Sequence, residues 1–192
     1  PKDGKVRSRT VARQFATRAM DDLFAGTPDP TVFRLILSRL ASNSSLVLTI
    51  GDVVSAYYQA PVDIEQTVRP PRDQAPRGVL WRLKKAMPGL NISARSWQDH
   101  YADLMVAELR LKRSTIDPCA FCSVDGFVLM VIHGDDFVGC GELAALTSAR
   151  ATLHKHLECN IGPLVGAGVG QAREATFTKR RIRCVPAVGW EF

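Results

Sequence analysis

The sequence predicts an α+β fold. Three observations carry that expectation: apolar residues recur at helical spacing in three separate windows, short β-type runs recur between them, and the two kinds of element interleave without a regular βαβ repeat. The 192 residues suffice for one ordinary domain or two small subdomains sharing a core. With 46% hydrophobic and 23% charged residues the chain can bury a core, which argues against intrinsic disorder. No apolar run approaches the roughly 18 residues of a membrane span, and PKDGKVRSR at the start lacks an apolar stretch after its charges. Membrane and secretory readings therefore drop out.

Taken in order, residues 6–15 alternate basic and apolar side chains, as an extended segment would. Asp29 followed by Pro30 reads as an N-cap and a first-turn proline, and Val32, Phe33, Ile36, Leu37 and Leu40 continue at helical spacing, giving a helix over 30–42. Residues 46–50 form a β-type run after the polar break at 42–45. Prolines at 61, 70, 71 and 76 predict an irregular stretch before a strand at 79–83. The longest helix is expected over 92–111. Residues 119–123 and 127–132 read as strands joined by the turn Val124-Asp125-Gly126. A further apolar run, Phe137-Val138, precedes a helix over 142–157, and strands are expected at 176–185 and 188–192.

Lys plus Arg exceeds Asp plus Glu by six, and the excess is local. Residues 1–18 carry six cations against Asp3 alone; further clusters lie at 69–95 and 173–183. Such stripes attract phosphates, although a solvated basic surface is the plain alternative. Five cysteines without a secretion signal fit reduced thiols in an intracellular protein; the lone CxxC, Cys119 to Cys122, only weakly supports zinc. Gly166, Gly168 and Gly170 follow no clear strand and open no helix, so they read as a flexible linker rather than a phosphate loop.

The acidic pair Asp135-Asp136 lies between two apolar runs. Two carboxylates at a tight turn between buried strands repel each other and resist desolvation, a cost that a divalent cation removes; an ordinary exposed Asp turn is the alternative. A second apolar run ends in Asp52. If the two strands are neighbours, Asp52, Asp135 and Asp136 converge, and three acids can hold two Mg²⁺ ions for nucleotidyl transfer.

Five blocks in collinear order resemble the reverse transcriptase of copia-type long-terminal-repeat retrotransposons: RSRTVARQF (7–15), GDVVSAYYQAPV (51–62), WRLKKAMPGLNISARSW (81–97), STIDPCAF (114–121) and VIHGDDFV (131–138). The resemblance implies a right-hand polymerase, with fingers over roughly 1–45 and 60–90, palm over roughly 46–59 and 91–192, an antiparallel palm sheet backed by helices, and no thumb. It implies Asp52, Asp135 and Asp136 as catalytic acids, and two Mg²⁺ ions, with Mn²⁺ as a substitute, on those acids and the Val53 carbonyl. Arg7 or Arg9, Ser55, Ala56, Tyr57 and Gly89 would face the nucleotide, Tyr57 as the gate that excludes a ribose 2′-hydroxyl. His133, Gly134 and Arg95 would face primer or template. Expected partners are an RNA or DNA template with its primer, deoxynucleotides, and RNase H and integrase segments of a polyprotein. The expected location is intracellular, in a cytoplasmic virus-like particle or the nucleus.

The chain departs from the family pattern in three places. His133-Gly134 stands where a Tyr and a further residue precede the paired acids, with a looser turn expected; Pro88 replaces a Tyr; Gly51 before Asp52 looks looser than a bulky residue. Two alternatives stay open: a decayed element that binds nucleic acid without synthesis, and a viral RNA-dependent RNA polymerase, which shares Gly-Asp-Asp but has a small or acidic residue where Tyr57 stands.

Overall fold

The computed structural model describes residues 10–14 and 25–192. The chain divides into two compact units, one of residues 1–25 and 56–100, the other of 26–55 and 101–192.

In the second unit, α1 (Pro30–Ser42) starts where the sequence predicts, with the Asp29 carboxylate accepting the Thr31 N–H at 2.7 Å. The Asp29 carboxyl is held below its ordinary range, first by the Thr31 side chain and then by that backbone bond. Its backbone N–H in turn donates to the buried Asp117 carboxylate at 2.7 Å, so the STIDPCAF block anchors the start of α1. The chain then runs through β1 (Val47–Val53), and later β4 (Lys112–Arg113), β5 (Ala120–Cys122), β6 (Val128–His133), β7 (Asp136–Gly141), α3 (Leu143–His156) and β8 (Cys159–Ile161). These strands form a six-stranded sheet in the order β4-β5-β6-β7-β1-β8, every pairing antiparallel. A three-stranded sheet follows, β11-β10-β9, from β9 (Glu174–Phe177), β10 (Arg180–Val185) and β11 (Gly189–Glu191).

Alternation along the strands assigns the two faces of the larger sheet. Leu48 of β1, Leu129 and Val131 of β6, and Val138 and Cys140 of β7 pack with Ile36 and Leu40 of α1 and with Phe177, Ile182 and Cys184 of the smaller sheet. Phe33 meets Phe177 with ring centroids 5.3 Å apart. Thr49 lies on the opposite face, where Arg150 of α3 donates to its hydroxyl at 3.0 Å.

The first unit holds a hairpin of β2 (Pro61–Val68) and β3 (Trp81–Lys85), the short 3₁₀ turn Ala56–Gln59, and the start of α2 (Ser93–Ala107), whose last turns belong to the second unit. β2 corrects the irregular stretch expected there: Pro61 occupies the first strand position, where no ladder N–H is needed, and a register irregularity between Pro61 and Gln66 absorbs the rest.

Other boundaries also differ. The single strand expected at 176–185 is a hairpin, because Thr178 and Lys179 adopt φ of 47° and 67° and make a two-residue I′-type turn. The glycine-rich stretch is no free linker: Gly166 N–H donates to the Ala172 carbonyl at 3.0 Å, Gly168 N–H to Gln171 Oε1 at 2.8 Å, and Leu48 and Val165 form a bridge. Residues 26–45 belong to the second unit, where α1 packs on its sheet. All five cysteines are free thiols, with Cys119 buried and bonded to the Gly26 carbonyl at 3.2 Å.

Candidate active site

The register of the larger sheet lines up four side chains. His133 of β6 pairs with Asp136 of β7, Asp136 with Asp52 of β1, and Asp52 with Asn160 of β8. Directly opposite residues of an antiparallel ladder share a face, so this row runs straight across four strands. It continues the apolar face: Leu48, Ile50 and Asp52 succeed one another along β1, and Cys140, Val138 and Asp136 along β7. The core face thus ends in carboxylates.

Asp135 sits in the two-residue turn between β6 and β7. Of its two residues only Gly134 has positive φ, 67°, the II′ pattern in which glycine fills the first central position. The expected looser turn is therefore a tight one that glycine makes affordable. The Asp135 carbonyl accepts the Val53 N–H at 2.7 Å, which ties the turn to the end of β1.

Gly51 is likewise not loose. It lies opposite Phe137, and an added Cβ would run into that ring and come within 2.7 Å of the Asn160 carbonyl. Phe137, 1% exposed, fills the space that a bulky residue 51 would take.

Asp52 and Asp135 are exposed and Asp136 is half-buried. The Asp136 carboxyl is raised above its ordinary range, first by burial, then by the charges of Asp135 and Asp52, with His133 opposing. Three carboxylates thus lie within electrostatic reach of one another. Asn160, which the sequence reading missed, donates from Nδ2 to Asp52 Oδ2 at 3.1 Å. Beside the row opens a cleft of about 1060 Å³, lined among others by Asp52, Asp136, His154, Cys159 and Lys179. Burial and the Asp52 charge raise the Cys159 thiol.

Carboxylate oxygens at a charge-crowded strand end suit a hard dication such as Mg²⁺ in donor chemistry. Among the described residues, no three His, Cys, Asp or Glu side chains stand ready-made as a metal-holding group.

The remaining expected residues lie elsewhere along the chain. Ser55 is exposed with φ of 50°, Ala56 is buried, and half-buried Tyr57 lies in the 3₁₀ turn, where its carbonyl accepts the Ala60 N–H at 3.2 Å. Gly89 has φ of 91°, and an added Cβ would collide with the Ala12 carbonyl; the Pro88 carbonyl accepts the Ala12 N–H at 2.7 Å. Gly89 thus serves a close backbone approach within its own unit. Arg95 is held by Asp99, one helical turn on, at 2.6 Å. Arg7 and Arg9 lie outside the described residues.

An antiparallel sheet carrying an aspartate beside a Gly-Asp-Asp hairpin defines the class: an α+β domain with a carboxylate cluster at a strand end. The profile of the family described as reverse transcriptase (RNA-dependent DNA polymerase) matches residues 1–165, and the chain belongs to that family. Among curated proteins it is similar to the Gag-Pol polyproteins of two Saccharomyces cerevisiae transposons, Ty1-DR4 (27% identity over 71% of this chain) and Ty1-NL2 (25% over 83%). The matches cover 8% and 9% of those polyproteins, in keeping with a copia-type reverse transcriptase fragment. Of solved structures, apo telomerase from Candida tropicalis, truncated from its C-terminal domain, aligns with a TM-score of 0.49 and 14% identity over 80% of this chain and 37% of that one, too distant to carry an inference. Among the described residues no helix is long and apolar enough to cross a membrane.

Proposed function

We propose that the chain is the nucleotidyl-transfer domain of a retrotransposon RNA-directed DNA polymerase, which extends a primer 3′-hydroxyl with deoxynucleotides on an RNA or DNA template. The observation that carries this reading is the pairing of Asp52 with Asp136 across β1 and β7, with Asp135 in the adjoining turn. Family membership supports it. In this reading Asp52, Asp135, Asp136 and the Val53 carbonyl would hold two Mg²⁺ ions, which when bound supply charge neutralisation and an activated hydroxyl oxygen. The protein's own part is to fix those acids on adjacent strands, so that little reorganisation is left for the moment of reaction.

The second unit takes the part of the palm and the first that of the fingers; Arg7 or Arg9, Ser55, Ala56, Tyr57 and Gly89 would attend the nucleotide, with Tyr57 selecting against ribose. His133 and Gly134 meet the primer end, and Arg95 would exchange Asp99 for a template phosphate. RNase H and integrase segments of a polyprotein are the further partners, in a cytoplasmic particle or the nucleus.

Primer extension on an RNA template with Mg²⁺ tests the reading by comparing the chain with Asp135→Asn. The expected loss is at least about a hundredfold, the scale on which removing one preorganised charge-stabilising group acts. Equal extension by the two proteins, or template binding by the unsubstituted chain with no extension, would overturn it.

A further inference from the structure

We infer that Asn160 is a positioning residue that orients the Asp52 carboxylate, leaving its second oxygen free for a cation. The inference rests on the functional reading above and adds a residue to it. Three observations place Asn160 there.

First, the β1–β8 ladder sets the two residues directly opposite each other, between the pairs Gly51–Ile161 and Val53–Cys159. Hydrogen bonds beyond both ends hold this register: Val54 N–H donates to the Glu158 carbonyl at 2.9 Å, and Gly162 N–H to the Ile50 carbonyl at 3.0 Å. A slip by one residue would turn Asn160 to the other face and break both. Secondly, Asn160 Nδ2 bonds only one of the Asp52 oxygens, Oδ2, at 3.1 Å. Thirdly, Gly51 lets β8 approach, since any side chain there would press on the Asn160 backbone.

The chemistry follows from what stands around Asp52. Its other neighbours in the row and turn, Asp136 and Asp135, carry like charge, and a carboxylate crowded by like charges tends to swing away. An amide is a neutral donor. It fixes the plane of the carboxylate and adds no charge that would compete with a cation. A Lys or Arg in its place would neutralise Asp52 and weaken its hold on a metal; an Asp would add a fourth repelling carboxylate. Groups that orient metal-binding carboxylates typically matter by about 10- to 100-fold in metal affinity or activity.

The test is Mn²⁺ binding, followed by electron paramagnetic resonance on the free protein, alongside primer extension titrated with Mg²⁺ and a thermal melt of each variant. Asn160→Ala is expected to raise the Mn²⁺ concentration at half-saturation about tenfold and to shift the Mg²⁺ dependence of extension in parallel. The KM for deoxynucleotide at saturating metal and the melting midpoint in EDTA should stay close to those of the parent. Asn160→Leu, which keeps about the same size and loses the donor without adding charge, should weaken Mn²⁺ binding to a similar extent. Unchanged Mn²⁺ affinity in both variants, or a loss matched by a fall of the melting midpoint, would overturn the inference. Asp52→Asn separates it from the parent reading: if that variant binds Mn²⁺ as the unsubstituted chain does, the metal site itself is wrong, whatever Asn160 does.

Discussion

The single residue that reports most on the site is Asp136. Burial raises its carboxyl first, and the charges of Asp135 and Asp52 raise it further. A native carboxyl pushed above its unfolded value binds its proton more tightly in the fold. Its contribution to stability is therefore fully present below the ordinary value of 3.8 and is lost as pH rises through the higher native value. At neutral pH in EDTA the ionised group works against the fold. Asp136→Asn should accordingly raise the melting midpoint of the metal-free protein at pH 7, by no more than a few degrees because the group is partly solvated. Below about pH 3.8 the two proteins should melt together. Differential scanning calorimetry across pH 3 to 8, in steps of about one unit, reads this directly; equal midpoints at pH 7 would mean that the three carboxylates do not burden one another. The three aspartates themselves were legible in the sequence, because each closes or opens an apolar run and so marks where a buried strand meets charge. Asn160 was not, since nothing around it in the sequence shows a period.

At the scale of elements, what the sequence disclosed depended on how many residues carried each signal. Helix α1 was legible to the residue from Asp29, Pro30 and five apolar positions. The three-residue strand β8 and the two-residue β4 are too short to show a period of two. The hairpin of β9 and β10 hid because Thr178-Lys179 lacks the Asn or Gly that marks a I′ turn. The exchange of size between Gly51 and Phe137 needed the β1–β7 register, which only the fold supplies. That exchange is testable. Gly51→Val should cost about 1 to 3 kcal/mol as overpacking of the β1–β7 contact, measured by urea unfolding. Combining it with Phe137→Leu should cost less than the sum of the single substitutions by at least about 0.5 kcal/mol, since the ring is one of the two groups that the new side chain meets. Relief should stay partial, because the Asn160 carbonyl is backbone and cannot be trimmed. Strict additivity would show that Gly51 answers to something other than Phe137.

For the whole molecule the matter to settle is what the net charge of +6 does. Among the described residues many cations lie on the surface: Arg69, Arg72, Arg77, Arg82, Lys84 and Lys85 are exposed in the first unit, and Lys179, Arg180 and Arg181 in the second. Exposed ion pairs occupy few of these; Arg82 meets Glu65 at 3.7 Å with both side chains largely in solvent, a geometry worth little. Three acids, in contrast, Asp52, Asp135 and Asp136, gather at the ends of β1 and β7, where like charges would repel a phosphate backbone unless cations intervened. A chain with this layout should bind nucleic acid through its basic surface and do so by releasing counterions, so that affinity falls steeply with salt. Fluorescence anisotropy with a labelled primer–template should show at least about a tenfold loss of affinity between about 50 and 200 mM KCl, which corresponds to roughly two or three phosphates neutralised. Replacing Lys179, Arg180 and Arg181 together by Ala should reduce the slope of log K against log salt by about one to two if the β9–β10 hairpin supplies part of that contact. A slope near zero would assign the whole excess to solvated surface, and an unaltered slope in the triple variant would leave the contact to the first unit's cations.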